Sequence, residues 1–188
     1  MKEQTMNYEQ VYEGTRESKN GVSVRIASPK DAEGLRRMLS RASSETIYLR
    51  FHIAYVGVPG WMLGLMLGVG QRDVEALVAV AGGEVVGHAM YVGLGAGDAA
   101  EMAIIVEDEW QSQGVGKLLL LRLAERARLR GIGAFVAEVL GTNRSMLGLA
   151  AMFPETRYTT GEGVCHIRMT LGAPVSTAAV SETGQRAA

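Results

Sequence analysis

Cysteine is almost absent from this chain of 188 residues, in which Cys165 is the only one and histidines number three. A single cysteine excludes an internal disulfide, and so few cysteines and histidines cannot build a metal cluster, so we expect no bound metal. An excess of charge of one sign is also missing, since 19 Lys and Arg face 20 Asp and Glu, with a net charge of −1 and no basic run. This balance argues against nucleic acid as a partner.

Long hydrophobic runs are absent as well. The apolar stretch at residues 61–69 is far too short to cross a bilayer, and the polar residues 1–20 contain no secretory signal. We therefore expect a cytoplasmic protein with no membrane partner.

The chain does contain enough apolar sequence for one substantial core. Hydrophobic residues make up 47% of it, and 188 residues are too few for two large cores. We expect a polar N-terminal leader over residues 1–20, one folded domain over residues 21–171 and a disordered C-terminal tail over residues 172–188. The tail is rich in Ala, Ser, Thr and Gly and has little to bury.

Hydrophobic periodicity predicts alternating strands and helices within the domain. Strands are indicated at residues 22–26, 76–81, 85–92, 100–106, 135–140 and 166–171. Helices are indicated at residues 29–39, 44–52, 59–69, 114–130 and 143–152. Gly82 and Gly83 predict a hairpin turn, so the second, third and fourth strands should form an antiparallel meander. The fifth strand is mostly apolar on both faces, which is typical of a strand beside a parallel partner.

A short segment from Gln111 to Lys117 joins one of these strands directly to the longest helix. The first N–H groups of a helix have no intrahelical acceptors, and the helix dipole makes that end positive, so such a junction readily binds phosphate oxygens. Gly114 and Gly116 have no side chain to keep an anion away from the backbone. The segment predicts a phosphate-bearing cofactor, and a simple tight turn is the alternative.

The spacing of this segment excludes two common phosphate loops. A nucleotide-triphosphate loop needs Gly where Gln111 stands and Ser or Thr where Leu118 stands. A dinucleotide loop needs Gly where Leu119 stands. The remaining pattern, Q-x-x-G-x-G, resembles the pyrophosphate-binding signature of the GNAT superfamily, the acetyl-CoA-dependent N-acetyltransferases.

The resemblance covers about residues 22–171 and is more specific in three stretches. Residues 43–51, 100–111 and 143–150 resemble the acetyltransferase domain of bacterial protein lysine acetyltransferases of the Pat type. The resemblance implies the GNAT fold, an α/β protein of the α+β kind. Its central sheet would be mixed, mostly antiparallel and splayed at the cofactor strand, with helices on both faces.

The resemblance also implies how acetyl-CoA, the expected co-substrate, is held. The pantetheine arm would lie along a strand edge, and a backbone N–H near Ile104 would donate to the thioester carbonyl. N–H groups from Ser112 through Lys117 would bind the pyrophosphate, and Asn143 would contact the pantetheine amides. The residues expected to bind the cofactor are Ile104, Ile105, Val106, Gln111, Ser112, Gln113, Gly114, Val115, Gly116, Lys117 and Asn143.

Acetyl transfer to a lysine needs a base, because an amine with a pKa near 10.4 is almost fully protonated at neutral pH. Glu101 matches the glutamate that Pat-type enzymes use as this catalytic base, and it lies on the strand face opposite to Met102 and Ile104. The alternative for Glu101 is a solvated acid at the strand edge. His88 is either a second base or, as its apolar neighbours favour, a core histidine. The acids at residues 107–109 indicate an ordinary surface turn.

Several of the cofactor residues have structural alternatives. Asn143 would also cap the helix that follows it, Lys117 would also be an exposed first-turn lysine, and Gln111 would also fix the turn. Many GNAT members carry a Tyr on the helix after Asn143 that is proposed to protonate the leaving thiolate. Residues 149–153 contain no Tyr, so the sequence does not predict a dedicated general acid.

The expected activity is acetyl-CoA-dependent acetylation of a protein lysine, by direct attack of the deprotonated amine on the thioester. The expected partner is a protein with an exposed lysine, for which an acyl-CoA synthetase is one candidate. Two alternatives stay open. One is acetylation of a small amine or amino acid, and the other is a sensing module that binds acyl-CoA without transferring the acyl group.

Overall fold

Seven strands form one sheet in the computed structural model, which describes residues 21–53, 59–95 and 97–172. The strands are β1 (Ser23–Ile26), β2 (Val74–Ala81), β3 (Glu84–Gly93), β4 (Ala99–Val106), β5 (Ala134–Leu140), β6 (Thr156–Gly161) and β7 (Val164–Thr170). The helices are α1 (Ala32–Arg41), α2 (Ser44–Phe51), α3 (Gly60–Met66), α4 (Val115–Leu129) and α5 (Arg144–Ala150). The leader and, except for Gly172, the tail expected from the sequence lie outside the described residues.

The strand order is β1-β2-β3-β4-β5-β7-β6, and only the pair of β4 and β5 is parallel among these described strands. The expected mixed, mostly antiparallel sheet is therefore confirmed, as is the meander of β2, β3 and β4. Gly82 and Gly83 take φ values of +55° and +85°, as the two-residue turn between β2 and β3 requires.

β6 was not predicted, because its sequence lacks the apolar alternation of a half-buried strand. It lies at the edge of the sheet, and five of its six residues are exposed. The only local signal is the turn that follows it, in which Glu162 and Gly163 take φ values of +51° and +80°. Because these residues connect β6 to β7 as a hairpin, β7 begins two residues earlier than predicted, at Val164.

Helices cover both faces of the sheet, as expected. On one face α4 packs its apolar stripe, which includes Leu119 and Leu123, against the sheet around Phe135. On the other face α1, α2 and α3 form a second core, which includes Leu35 and Met38. In the described part of the chain, no helix combines the length and the apolar content needed to cross a bilayer.

The helices leave part of one face uncovered. Along β7, Cys165, Ile167 and Met169 are buried in the core beneath α4, whereas His166 and Arg168 are exposed on the opposite side. The half of the sheet formed by β5, β7 and β6 therefore presents a polar face to solvent, beside the layer of α1 to α3.

The parallel pair of β4 and β5 is short. The register partners are Ala99 with Ala134, Ala100 with Phe135, and Glu101 with Val136. Beyond Glu101, no further partners join β4 to β5 among the described residues, so the sheet opens there. The opening is the splay expected at the cofactor strand. It leaves backbone N–H and C=O groups on that edge of β4 that need another hydrogen-bond partner.

Candidate active site

A cavity of about 310 Å³ lies at the opening of the sheet. Nine of the predicted cofactor residues line it, namely Ile104, Ile105, Val106, Gln111, Ser112, Gly114, Gly116, Lys117 and Asn143. It is also lined by residues that were not predicted, namely Thr46, Leu49, Arg50, Ser145, Met146 and Leu149. The unpredicted residues come from α2 and α5, so the cavity is walled by three helices and one strand edge.

The turn before α4 presents backbone N–H groups at this cavity. Ser112 and Gly114 take positive φ values of +57° and +85°. The first hydrogen bond within α4 runs from the Leu118 N–H to the Gly114 carbonyl, at 2.9 Å. The N–H groups at the start of the helix, from Val115 to Lys117, therefore have no acceptor within it. Together with the positive end of the helix dipole, they form a site suited to pyrophosphate oxygens.

Two predicted cofactor residues, Gln113 and Val115, do not line the cavity. The side-chain amide of Gln113 donates to the Glu109 carbonyl at 2.5 Å, and the Val115 side chain is buried in the core. The backbone N–H groups of these residues, at the turn and at the start of α4, are the groups expected to contact the cofactor.

The Gln111 side chain connects the turn before α4 to α2. Its side-chain amide donates to the Thr46 hydroxyl at 2.9 Å and to the Val106 carbonyl at 3.1 Å. Because Gln111 also lines the cavity, its two proposed roles are compatible. The side chain joins the end of β4, the phosphate-binding turn and α2, which are three walls of the same cavity.

The acidic turn at residues 107–109 has a structural role. The expectation of an ordinary surface turn was wrong for Glu107, which is buried, whereas Asp108 and Glu109 are exposed. The Glu107 carboxylate is buried and accepts two hydrogen bonds from Arg41, at 2.7 and 2.9 Å. Asp108 accepts from the Ser43 backbone N–H and hydroxyl and from the Thr46 hydroxyl. Partial burial raises the pKa of Asp108, but these hydrogen bonds outweigh it, so the pKa lies below its ordinary value.

Asn143 caps α5, because its side-chain oxygen accepts the Met146 N–H at 3.0 Å. It lines the cavity at the same time, so the cap and a contact with pantetheine can coexist. Lys117 is exposed on the first turn of α4 and also lines the cavity, where its ammonium can reach a phosphate.

Glu101 lies where β4 and β5 separate, on the other side of the opening from the phosphate-binding turn. Its exposed side chain lines a second, wider groove of about 590 Å³ on the open face of the sheet. The groove extends over β5, β7 and β6, and its polar lining comprises Glu138, Arg157, Thr159, His166 and Arg168. Glu101 thus lines this groove at the last position where β4 pairs with β5.

Arg50 is the only charged side chain among the six cavity-lining residues that were not predicted. Its guanidinium lies 4.8 Å from the Phe51 ring centroid, and its buried Nε has no hydrogen-bond partner among the described residues. Burial lowers the pKa of Arg50 to about 10, and attraction to Glu101 partly offsets this shift. Arg50 therefore stays cationic at neutral pH and adds a positive charge to the lining of the cavity, near enough to Glu101 to be attracted by it. The only sequence signal was its position in the Pat-like stretch at residues 43–51.

His88 lines neither cavity, and the structure favours the core alternative. The ring is fully buried, and Nε2 lies 2.7 Å from the Met66 carbonyl. Burial, together with the nearby Arg50 charge, lowers the pKa of His88 to about 4, although the hydrogen bond with the Met66 carbonyl opposes this shift. His88 is therefore neutral at pH 7, and its Nε2–H donates to Met66.

No tyrosine lines the described part of either cavity, so a dedicated acid for the leaving thiolate is not evident there. Tyr158 is exposed on the edge strand β6, away from the linings. Cys165 is a free cysteine buried in the core.

These features fit an extended cofactor that carries a pyrophosphate. The freed edge of β4 can bond to the amides of a flexible arm, and the start of α4 can bind the diphosphate. This combination defines an acyl-CoA-binding class of protein. A family model described as the acetyltransferase (GNAT) family matches residues 46–153. The chain belongs to this family, so it is an N-acetyltransferase whose co-substrate is acetyl-CoA.

Solved structures with the same fold include several acetyltransferases. The GNAT domain of S. lividans PAT is 30% identical with a TM-score of 0.72, and the match covers 78% of this chain and 89% of that one. The putative acetyltransferase yncA from Salmonella typhimurium, solved with acetyl-CoA, is 20% identical with a TM-score of 0.65. The match covers 84% of this chain and 99% of that one. A phosphinothricin acetyltransferase from Sinorhizobium meliloti, in complex with acetyl-CoA, is 16% identical with a TM-score of 0.66. The match covers 84% of this chain and 95% of that one. A comparison with curated proteins gave no significant match.

Proposed function

We propose that this enzyme transfers the acetyl group of acetyl-CoA to a lysine side chain of a protein. The observation that carries the proposal is the wide groove of about 590 Å³ beside Glu101, which lies on an open sheet face. A lysine on a protein surface can enter it together with the residues that flank it. The similarity to the GNAT domain of S. lividans PAT also supports a Pat-type acceptor.

Acetyl-CoA supplies an activated acyl group when it is bound, and the chain positions the groups around it. N–H groups at the start of α4 hold the pyrophosphate, and the free edge of β4 orients the arm. A backbone N–H near Ile104 donates to the thioester carbonyl, a type of contact whose removal elsewhere costs a few kcal/mol. Arg50 adds positive charge on the same side of the sheet as Glu101.

Glu101 takes the proton that the lysine must lose, directly or through a water molecule. The neutral amine then attacks the thioester carbonyl and forms the N–C bond. As the C–S bond breaks, its electron pair leaves on the thiolate, and the second proton that the nitrogen must lose passes to the thiolate or to water. With no tyrosine in the described linings, the thiolate leaves without a dedicated acid from this chain.

The test of this proposal is the release of free thiol from acetyl-CoA in the presence of a lysine-containing protein or peptide. We expect Glu101→Gln to lower the rate at least about tenfold, because the amide cannot accept the proton. Calorimetric titration should show unchanged affinity for coenzyme A, because Glu101 does not line the cofactor cavity. Mass spectrometry of the acceptor should show acetyl groups on lysine.

Glu84→Gln is the matched control, since Glu84 is an exposed strand glutamate that pairs with Arg37 and lines neither cavity. It should leave the rate unchanged. Equal rates in wild type and Glu101→Gln would remove Glu101 from its role. Efficient acetylation of free amino acids, with no transfer to any protein lysine, would overturn the proposed acceptor class.

A further inference from the structure

One row of side chains crosses the open face of the sheet from the proposed base to the edge strand. Glu101 of β4 pairs in register with Val136 of β5, Val136 with Arg168 of β7, and Arg168 with Arg157 of β6. Side chains at paired positions point to the same face of the sheet. All four residues line the groove of about 590 Å³ beside Glu101, called the acceptor groove below. Because neighbouring strands lie about 4.8 Å apart, Arg168 and Arg157 lie roughly 10 and 15 Å from Glu101.

The two arginines are directly opposite each other, an arrangement that like charges disfavour. Arg168 makes one long contact with the Asp98 carboxylate, at 3.5 Å, and both side chains are exposed. Arg157 has no carboxylate within 4 Å among the described residues. Two guanidinium groups therefore face the groove with little compensating charge.

The neighbouring row does not neutralise them. Its acid, Glu138, lies 3.3 Å from the His166 imidazole, two register pairs along the strands from the pair of Val136 and Arg168. The groove thus changes sign along its length. The end of the groove on β4 and β5 carries the acids Glu101 and Glu138. The end on β7 and β6 carries Arg168 and Arg157.

We propose that Arg157 and Arg168 select acceptors in which an acidic residue lies near the target lysine. This inference rests on the proposed function, because it takes the lysine to be held at Glu101. An extended chain advances about 3.3 Å per residue, so a distance of roughly 10 to 15 Å corresponds to about three or four residues. An Asp or Glu at that separation would place its carboxylate over the arginine pair while the lysine amine reaches Glu101. The acceptor class is therefore a lysine segment with acidic residues three or four positions away.

The experiment compares three peptides of equal length with a single lysine and either Glu, Gln or Arg at positions three and four away on both sides. The intact enzyme is assayed by thiol release, and kcat/KM is measured for each peptide. We expect the acidic peptide to exceed the neutral one by about five- to tenfold, mainly through KM, since exposed ion pairs are individually weak. High salt should reduce this preference, because it screens exposed charges.

The Arg157→Glu/Arg168→Glu variant should reverse the preference and favour the basic peptide. The Arg157→Gln/Arg168→Gln variant should abolish it, and calorimetric titration with coenzyme A checks that both variants fold. Arg36→Glu is the matched control, because Arg36 is exposed on α1, contacts Glu33 and lines neither cavity. It should keep the wild-type preference.

The outcomes separate the two proposals. Equal kcat/KM for all three peptides, with acetylation intact, would overturn the inference and leave lysine acetylation standing. A preference for the acidic peptide that survives in both double variants would also overturn it, since the selectivity would then come from other residues. No acetylation of any lysine peptide or protein, although coenzyme A binds, would overturn the proposed function and the inference with it.

Discussion

At the scale of single residues, Arg50, which lines the cavity, and His88, which lies in the core, have different charge states at neutral pH. Arg50 remains a cation although its Nε is buried, and His88 remains neutral because burial and the Arg50 charge both disfavour a second cation. The neutral ring keeps Nε2–H as a donor to the Met66 carbonyl, which ties β3 to the end of α3. His88 should therefore affect stability and not proton transfer.

This assignment predicts a loss of stability in mild acid. In the unfolded chain a histidine takes up a proton near pH 6.5, whereas folded His88, with a pKa of about 4, does not. The contribution of His88 is thus fully present above pH 6.5 and is lost as the pH falls toward 4. We expect the free energy of unfolding to fall by about 2 kcal/mol between pH 7 and pH 5 from this group.

Urea denaturation of wild type and His88→Gln at both pH values checks the prediction. The variant should be less stable at pH 7 but should lose less stability on acidification, because glutamine does not titrate. Asp31, whose pKa is lowered to about 2 chiefly by its hydrogen bond from Arg25, responds only in stronger acid and does not interfere. Identical pH dependence in the two proteins would contradict the assignment.

At the scale of elements, the start of α4 depends on a backbone conformation that suits glycine. Gly114 has a φ of +85°, so alanine there should cost about 1 kcal/mol of stability. Relaxation of the turn would also shift the N–H groups at the start of α4. We therefore expect Gly114→Ala to weaken coenzyme A binding several-fold, measured by calorimetry.

Gly148 offers a matched control within α5. An added Cβ would have nothing within 4 Å, and the backbone is helical, so Gly148→Ala should stabilise the protein by about 0.5–1 kcal/mol. It should leave the affinity for coenzyme A unchanged, since Gly148 does not line the cavity. A Gly114→Ala variant that binds coenzyme A as tightly as wild type would show that the turn is not part of the site.

The sequence predicted the helices and strands whose own residues show an apolar periodicity or a turn signal. The stripe of α4, ending before Gly131 with its φ of +78°, and the meander around Gly82 both follow from local spacing. β6 was not predictable, because an exposed edge strand needs no apolar alternation. Likewise, the role of Glu107 depends on Arg41, which lies 66 residues earlier in the chain.

The candidate site divides in the same way. The turn at residues 111–117, which we propose binds the pyrophosphate, is a local motif. Gly114 and Gly116 could therefore be proposed from the sequence, and both line the cavity. Arg50 reaches the cavity only because α2 packs beside β4, and the pairing of Arg157 with Arg168 depends on the register of β6 and β7. Residues brought to a site by tertiary packing leave no periodic signal in the sequence.

At the scale of the whole molecule, a buried carboxylate joins the sheet to α4. Glu75 of β2 is 3% exposed and forms ion pairs with Arg126 and with Arg130, the latter at 2.8 Å. The Tyr91 hydroxyl donates to the same carboxylate at 3.3 Å, and burial raises the pKa of Tyr91 to about 12, so this donor is retained at neutral pH. The two arginines are partly exposed, so the desolvated charge in this network is the carboxylate.

This asymmetry predicts an order of stabilities. The Arg126→Met/Arg130→Met variant leaves Glu75 buried with only Tyr91 as a partner, and an unpaired buried charge costs about 3–5 kcal/mol. Glu75→Gln removes the buried charge, and the arginines keep access to water, so we expect a loss of only about 1 kcal/mol.

Urea midpoints at constant m-value measure both losses, and Arg36→Met, which breaks an exposed pair, should change stability by less than about 0.5 kcal/mol. If Glu75→Gln were as destabilising as the double arginine variant, the desolvation penalty in this network would fall on the arginines and not on the carboxylate. The link between β2 and α4 would then not depend on compensating a buried acid. If the double arginine variant is the less stable of the two, the buried Glu75 carboxylate requires its two arginines. This requirement helps to hold α4, and the turn at its start, against the sheet.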